Sequence, residues 1–305
     1  MMVNKKLAED TITRLRSMDI IDNNYLIQHD QNYVYIPVIE KIEGHNYVDM
    51  NGIQKEIKNE KISFSYDIIG DIAIIKGKSE EEAKILSKYL IERKNIKTIY
   101  LDNGITGEFR TRTLKLLYGE SKTTTLYREN SINLLVDVQK AYFSPRLSTE
   151  RLRISNEVKE HEYIIDMFCG IGPFSVLIAH KTDSSIVSMD KNCDAIGILG
   201  ENMKINRLKG NITPVCGDSA ELVKNYRNVD RIIMNLPHGA YNFLDIAFKA
   251  LKKGGVINYY EICDYETLEN RMIFFRNSGF EILYKRIVHG FSRNMNMYSI
   301  EIKKL

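Results

Sequence analysis

Cysteine is scarce in this 305-residue chain: Cys169, Cys193, Cys216 and Cys263 stand far apart, with no CxxC pair and no Cys/His metal spacing. That leaves no basis for a zinc site or a disulfide framework, and all four are expected to be reduced and intracellular. No apolar run approaches a membrane span, and the opening MMVNKKLAEDTITRLRSM lacks the apolar core of a signal peptide, so a cytoplasmic protein is expected. Internal repeats, low-complexity tracts and Pro-rich linkers are missing too, so domain boundaries show only as changes of pattern. An apolar stripe of the kind that pairs subunits is also lacking, which points to a monomer. An excess of charge of one sign is nearly absent: 43 Lys and Arg against 40 Asp and Glu leave a net value of +3, too small to argue for nucleic acid. From Arg271 to Leu305, however, seven Lys or Arg stand against two acids. The plainest reading of that excess is a solvated helix face followed by a basic tail.

What is present is an ordinary globular composition, 44% hydrophobic and 27% charged. Three regions emerge. Residues 1–60 carry an amphipathic helix pattern over residues 7–18, a short strand pattern NYVYIPV, and the charged stretch NGIQKEIKNEKIS. Residues 61–140 read as a strand SYDIIGDIAIIKG and a helix SEEEAKILSKYLIERK, with acids in its first turn and bases in its last. The strands TIYLD, EFRTRTLKLLYG, TTTLYREN and INLLVDV follow. From residue 141 to 305 the pattern is regular α/β alternation. Strands YIIDMF, SIVSMD, ITPVCGD, RIIMNLP and GVINYYEI alternate with helices starting near Phe174, Asn192, Ala220, Tyr241 and Tyr265. Short apolar strands joined through helices imply a parallel, doubly wound Rossmann-like sheet covered on both faces. FEILYKRIVHGF and MYSIEIKKL then add an antiparallel pair.

In such a sheet a ligand sits beyond the carboxyl ends of the strands. Those ends carry Asp166, Asp190, Asp218 and Asn235 in turn. Between Asp166 and Phe174, Gly170 and Gly172 give backbone room, and Asp190, 24 residues after Asp166, is placed for a ribose diol. A nicotinamide cofactor shares that acid, but its GxGxxG turn carries a third glycine, and here Pro173 and Phe174 follow Gly172 with no glycine after them. S-adenosylmethionine has no phosphate and suits the acids better: Asp166 near the amino and sulfonium end, Asp190 on the ribose, Asp218 by the adenine amino group. Each acid also has a plainer reading as a helix N-cap, most of all Asp218 before SAELV. Phe168, within the turn, is open enough to touch adenosine or methionine.

At this point DMFCGIGPF, MNLPHGAYNFLDIA and AYFSPRLSTER together resemble the archaeal and eukaryotic tRNA (guanine-N1)-methyltransferases acting at position 37, beside the anticodon. The resemblance extends over almost the whole chain, with SYDIIGDIAII and GEFRTRTLKLLYGE matching the middle domain and NYVYIPV the end of a small tRNA-recognition domain. It implies a class I S-adenosylmethionine-dependent methyltransferase sheet, preceded by a small α+β domain and an α/β RNA-binding domain. Relatives with this sheet include wybutosine-pathway methyltransferases and aminocarboxypropyltransferases; the intact NLP argues against the latter. A catalytically silent RNA-binding homologue is a further alternative, against which Asp166, Asp190, Asn235 and Glu150 all speak.

Methylating N1 of guanine requires a base for its proton and a partner for the negative charge growing toward O6. The resemblance places the base at Glu150 in SPRLSTER, which otherwise reads as part of a capping box. Arg110 or Arg112 in GEFRTRT offers a guanidinium fork to O6; composition does not choose between them, and the resemblance favours Arg110. Asn235 of NLP suits the guanine edge or the methionine moiety. His238 stands at the fourth place of that motif, where enzymes acting on exocyclic amines often carry a stacking aromatic. The resemblance also puts Tyr142, Arg146 and Pro237 along the cofactor cleft. Arg271, Arg276, Lys285, Arg286 and Arg293 are candidates for tRNA phosphate contacts.

Overall fold

The fold is that of a computed structural model, which describes residues 1–18, 20–22, 24–53, 65–76, 79–93, 95–106, 111–292 and 294–305. The chain forms two compact units, Met1–Ser63 and Phe64–Leu305. In the first, strand β1 (Met2–Asn4) leads to helix α1 (Ala8–Ser17), and strands β2 (Gln28–His29) and β3 (Tyr33–Tyr35) complete an antiparallel sheet in the order β1-β3-β2. Glu9 and Asp10 in the first turn of α1 and Arg14 and Arg16 in its last complement the helix dipole. Its apolar stripe buries Ala8 and Leu15 in a core with Val3, Ile20, Val34 and Ile36. Part of the stretch NGIQKEIKNEKIS lies outside the described residues.

The second unit begins with a departure from the sequence reading. SYDIIGDIAIIKG is not one strand but a hairpin, β4 (Ser65–Ile69) and β5 (Ile72–Lys76), turned at Gly70 with φ +56°. A Cβ at Gly70 would collide with Thr125 Oγ1 and the Leu126 carbonyl, so only glycine fits that turn. Helix α2 (Glu80–Arg93), β6 (Thr98–Thr106) and β7 (Thr111–Gly119) complete a four-stranded sheet in the order β4-β5-β6-β7. A second hairpin, β8 (Thr124–Glu129) and β9 (Ile132–Asp137), turns at Asn130 and Ser131, both with positive φ, the geometry that matches strand twist.

The remaining elements build the seven-stranded sheet that carries the site. In chain order they are α3 (Ser148–Glu157), β10 (Tyr163–Asp166), α4 (Pro173–Lys181), β11 (Ser185–Asp190), α5 (Cys193–Lys204), β12 (Asn211–Cys216) and α6 (Ser219–Leu222). Then come β13 (Val229–Met234), α7 (Leu244–Ala250), β14 (Leu251–Cys263), α8 (Tyr265–Asn277), β15 (Phe280–Gly290) and β16 (Asn296–Lys304). The order is β12-β11-β10-β13-β14-β16-β15, parallel through β14, with β16 and β15 antiparallel, as the alternation of the sequence implied. The central strands β10 and β13 are largely apolar and buried because helices cover both faces. Strand order reverses between β10 and β13, which opens the crevice of an α/β sheet there. Asn202 of α5 binds this frame to the β8–β9 hairpin: its amide bonds both the N–H and the carbonyl of Leu135 and also reaches the Ile171 carbonyl in the glycine turn.

The expectation of four reduced cysteines is corrected. Cys193, at the start of α5, and Cys216, at the end of β12, form a disulfide with Cα atoms 5.2 Å apart. Parallel pairing of β11 with β12 brings these positions together, a proximity that their spacing of 23 residues does not reveal. Cys169 and Cys263 are free and buried. Among the described residues no helix is long and apolar enough to cross a membrane, and no His, Cys, Asp and Glu cluster is built to hold a metal ion.

Candidate active site

A cavity of about 520 Å³ opens beyond the carboxyl ends of β10 to β13, a volume suited to a small ligand. Tyr142, Gly170, Asp190, Asp218, Asn235 and Pro237 are among its walls. Arg146, Phe168 and Phe174 line it as well, whereas Asp166, Gly172 and Glu150 do not.

The glycine turn explains that division. Asp190 Oδ2 accepts the Gly170 N–H at 2.7 Å and Oδ1 accepts the Asn192 N–H at 2.9 Å, so one carboxylate buckles the two loops of the cleft. Burial raises the Asp190 pKa against these N–H donors. Gly172 is left-handed at φ +77°, and a Cβ there would strike Leu199 of α5; this glycine serves the packing of the α4 entry. At Gly170, φ +54°, the nearest atom to an added Cβ is the Tyr142 carbonyl at 3.8 Å, so its surroundings are open. Asp166 lies a layer beneath. It is 1% exposed, accepts the Ser175 hydroxyl at 2.8 Å on Oδ2, and leaves Oδ1 without a hydrogen-bond partner among the described residues. Burial is the main cause pushing its carboxyl up to about 7, opposed by Ser175 and reinforced by Asp190.

On the far wall, Asn235 follows the end of β13, and its Oδ1 is buried with no hydrogen-bond partner among the described residues. An orphaned buried amide oxygen costs free energy unless a ligand donor reaches it. Asp218 Oδ1 caps α6 through the Ala220 N–H at 2.8 Å, Oδ2 stands 3.5 Å from Lys191 Nζ, and the half-exposed carboxylate lines the cavity. The Pro237 carbonyl accepts the Ile262 N–H at 2.9 Å, which fixes the NLP segment against β14. Phe168 packs edge-on against Phe243, and Phe174 leans on the buried Tyr260.

The basic residues are distributed differently from the sequence reading. Arg112 is buried, pairs with Asp102 at 3.3 Å, donates to the Phe143 carbonyl and lies over the Tyr142 ring at 5.3 Å, so its guanidinium is engaged by the fold. Arg110 lies outside the described residues, as does Arg293. Arg146 is held by Asp67 at 2.9 Å and by the Ser65 hydroxyl at 2.9 Å. Glu150 is 1% exposed. Its Oε2 accepts from Arg153 at 3.0 Å and from the Tyr260 hydroxyl at 3.1 Å, and Arg286 Nε stands 3.0 Å from Oε1. The C-terminal basic segment is largely ion-paired: Arg271 forks onto Glu261, Lys285 meets Glu269 at the surface, and only Arg276 of the remaining described candidates is exposed without an ion pair among the described residues. Sequence reasoning missed Lys191, Asn192, His289 and Phe291, all on the cavity wall. Asn192 had a signal, since an Asn between a strand and a helix pattern is an N-cap, and it does cap α5 through Asp194 N–H at 3.1 Å.

The cavity therefore joins two carboxylates, an orphaned amide oxygen and apolar walls from Phe168, Phe174, Ile262 and Met297. Such a wall fits a cationic, partly apolar ligand bearing hydroxyl and amino donors, as S-adenosylmethionine is. It fits a pyrophosphate poorly: carboxylates face the cavity, Pro173 has no N–H, and the Gly172 N–H is already spent on the Cys169 carbonyl at 2.9 Å.

Comparison with known proteins adds to this geometry. The TRM5/TYW2 methyltransferase domain matches residues 125–280, the tRNA methyltransferase 5 N-terminal domain residues 2–47, and the TYW2 N-terminal domain residues 50–123. The tRNA (guanine(37)-N(1))-methyltransferase Trm5b of Pyrococcus abyssi is 39% identical over 279 residues, 85% of this chain and 83% of its own. The Trm5b of Methanocaldococcus jannaschii is 34% identical over 99% of this chain and 97% of its own. A solved complex of aTrm5 with tRNALeu superposes with a TM-score of 0.73 at 30% identity, covering 100% of this chain and 99% of that one.

Proposed function

Because this chain belongs to the TRM5/TYW2 methyltransferase family, we propose that it transfers a methyl group from S-adenosylmethionine to N1 of guanosine 37 of tRNA, beside the anticodon. The observation that carries this reading is the 39% identity, over most of both chains, to an enzyme named for that reaction. The orphaned Asn235 Oδ1 in an acid-walled cavity supplies an independent physical reason for a donor-bearing ligand there. On this reading residues 1–60 and 61–140 bind tRNA, residues 141–305 carry the chemistry, and the chain acts as a monomer.

The cofactor, when bound, supplies an electrophilic methyl on a sulfonium. Asp190 accepts hydrogen bonds from the ribose hydroxyls, and Asp218 from the adenine amino group. Tyr142, Phe168 and Phe174 exclude water from the reacting centre. Asn235 Oδ1 accepts from the ammonium or from the guanine edge. Glu150 takes the N1 proton at Oε1, the oxygen that makes no hydrogen bond of its own, once Arg286 has moved away. Arg110 donates to O6 as negative charge develops there.

The test uses the full chain, an unmodified tRNA transcript with guanosine at position 37, and the labelled methyl donor. Nucleoside mass spectrometry and primer extension should report N1-methylguanosine and a stop at that position. Absence of the product under saturating donor rules the reading out.

A further inference from the structure

Beside Asn235 the cavity mouth carries aromatic surface that no sequence motif explains. Phe291 follows β15 in the turn toward β16; it lines the cavity and is 57% exposed. Its ring meets that of His238 edge-on, with centroids 5.6 Å apart and planes at 72°. The Phe291 and Ser292 N–H groups both donate to the Met295 carbonyl, at 2.9 and 3.0 Å. His238 is itself the residue at the fourth place of the NLP motif, where a stacking aromatic is used for other nitrogen targets. In this chain the large apolar ring at that corner comes instead from Phe291, 53 residues further on. A ring packed against His238 on the wall of a polar cavity, belonging to a residue that is 57% exposed, is well suited to a flat partner. A nucleobase is such a partner, since every base has a π-face and stacking on aromatic side chains is a recurrent way of holding a base outside its own stack.

We propose that Phe291 is the stacking platform for the acceptor guanine, holding the extruded base with its N1 edge toward Asn235. The proposal rests on the reading of the chain as a tRNA guanosine-37 methyltransferase. Extruding a base from the anticodon loop has a free-energy cost that stacking on Phe291 offsets. The ring thereby contributes to acceptor binding and to the fraction of encounters that reach the methyl group, and contributes nothing to cofactor affinity.

The experiment compares the wild-type chain with Phe291→Ala, Phe291→Leu and Phe291→Tyr. Each is measured in methyl transfer to a guanosine-37 tRNA transcript, in equilibrium binding of S-adenosylmethionine, and in thermal melting. Stacking of one base is worth roughly 10- to 100-fold in affinity, so Phe291→Ala should lower kcat/KM for tRNA by about that factor, with cofactor affinity and Tm unchanged. Phe291→Tyr should stay within a few-fold of wild type, while Phe291→Leu, apolar but without a π-face, should fall with Ala. Binding of a transcript carrying 2-aminopurine at position 37 should quench its fluorescence with the wild type and Phe291→Tyr, and not with Phe291→Ala. Wild-type rates for Phe291→Ala, equal rates for Leu and Tyr, or weakened cofactor binding in place of weakened tRNA turnover each overturn the platform. Failure of the wild-type chain itself to form N1-methylguanosine is a different result, and it removes the parent reading.

Discussion

Arg286 Nε stands 3.0 Å from Glu150 Oε1, an ion pair between the outermost strand of the sheet and a helix residue that is 1% exposed. Arg153 and Tyr260 hold the other carboxylate oxygen, so the proposed base is enclosed by two guanidinium groups and a phenol. Arg286 is 34% exposed at its side chain and is the most solvated partner of the set. If Glu150 accepts the N1 proton, Glu150→Gln should slow the single-turnover step by about 10² to 10⁴ while cofactor affinity stays within about twofold. A wild-type turnover rate in Glu150→Gln, accompanied only by a lower Tm, assigns the carboxylate to the fold alone. Arg286→Ala should itself lower Tm. Its loss should be below the about 3–5 kcal/mol of a fully buried pair, because Arg286 is partly solvated and Arg153 remains.

The pairing of Arg286 also shows what could be read from the sequence and what could not. The alternation of strand and helix was legible because a parallel strand covered on both faces must be largely apolar, as in the YII of β10 and the IIM of β13. Polar strand ends then marked the cleft, and Asp190, Asp218 and Asn235 all reach it. The basic C-terminal segment misled because the partners of Arg271, Lys285 and Arg286 are set by sheet order and helix packing, not by local sequence. The hairpin at Gly70, the Cys193–Cys216 bond and Phe291 were missed for the same reason: each depends on which distant segment lies alongside. Asp166 was placed at the correct strand end but one layer too shallow, since a strand terminus says nothing of depth.

The disulfide joins the loop after β11, which carries Asn192, to the end of β12 just before Asp218, and both its cysteines are solvent-exposed. Closing a loop of this length is worth about 3 kcal/mol through the unfolded state. Reduction with dithiothreitol, or Cys193→Ser, should therefore lower Tm by several degrees and weaken S-adenosylmethionine binding a few-fold. Thiol titration of the native chain before and after reduction gives the check: two accessible thiols should appear only after reduction. An unchanged melt in Cys193→Ser counts against the staple.

Asp166, one layer beneath the cavity wall, gives the proposed cofactor site a testable pH dependence of definite sign. Its carboxyl, pushed up to about 7 chiefly by burial, holds a proton in the folded state that the unfolded chain releases near the usual carboxylate range. Its contribution to stability is full below that range and is lost as pH rises through about 7. A cationic cofactor favours the ionised form, so binding should strengthen over the same interval. The Tm gain on adding S-adenosylmethionine should be larger at pH 8 than at pH 6, and Asp166→Asn should flatten the difference. Equal gains at the two pH values in the wild type would dissociate Asp166 from the cofactor.

Gly170 and Gly172 look equivalent in CGIGPF, yet their surroundings differ and their alanine variants should part company. At Gly172 an added methyl strikes Leu199, which is fully buried, and φ +77° adds backbone strain. Overpacking of a tight core typically costs about 1–3 kcal/mol, and a left-handed non-glycine residue about 1 kcal/mol or more besides. Gly172→Ala should thus lose at least about 2 kcal/mol in urea unfolding. Gly170→Ala carries only the backbone strain, because its Cβ meets nothing closer than the Tyr142 carbonyl at 3.8 Å. That variant should fold with a smaller loss and reveal itself in weaker S-adenosylmethionine binding, since Gly170 lines the cavity and its N–H anchors Asp190. The measurement is a pair of urea titrations alongside cofactor binding. Equal stability losses in the two variants would mean that Leu199 repacks and that the turn has no preferred structural glycine.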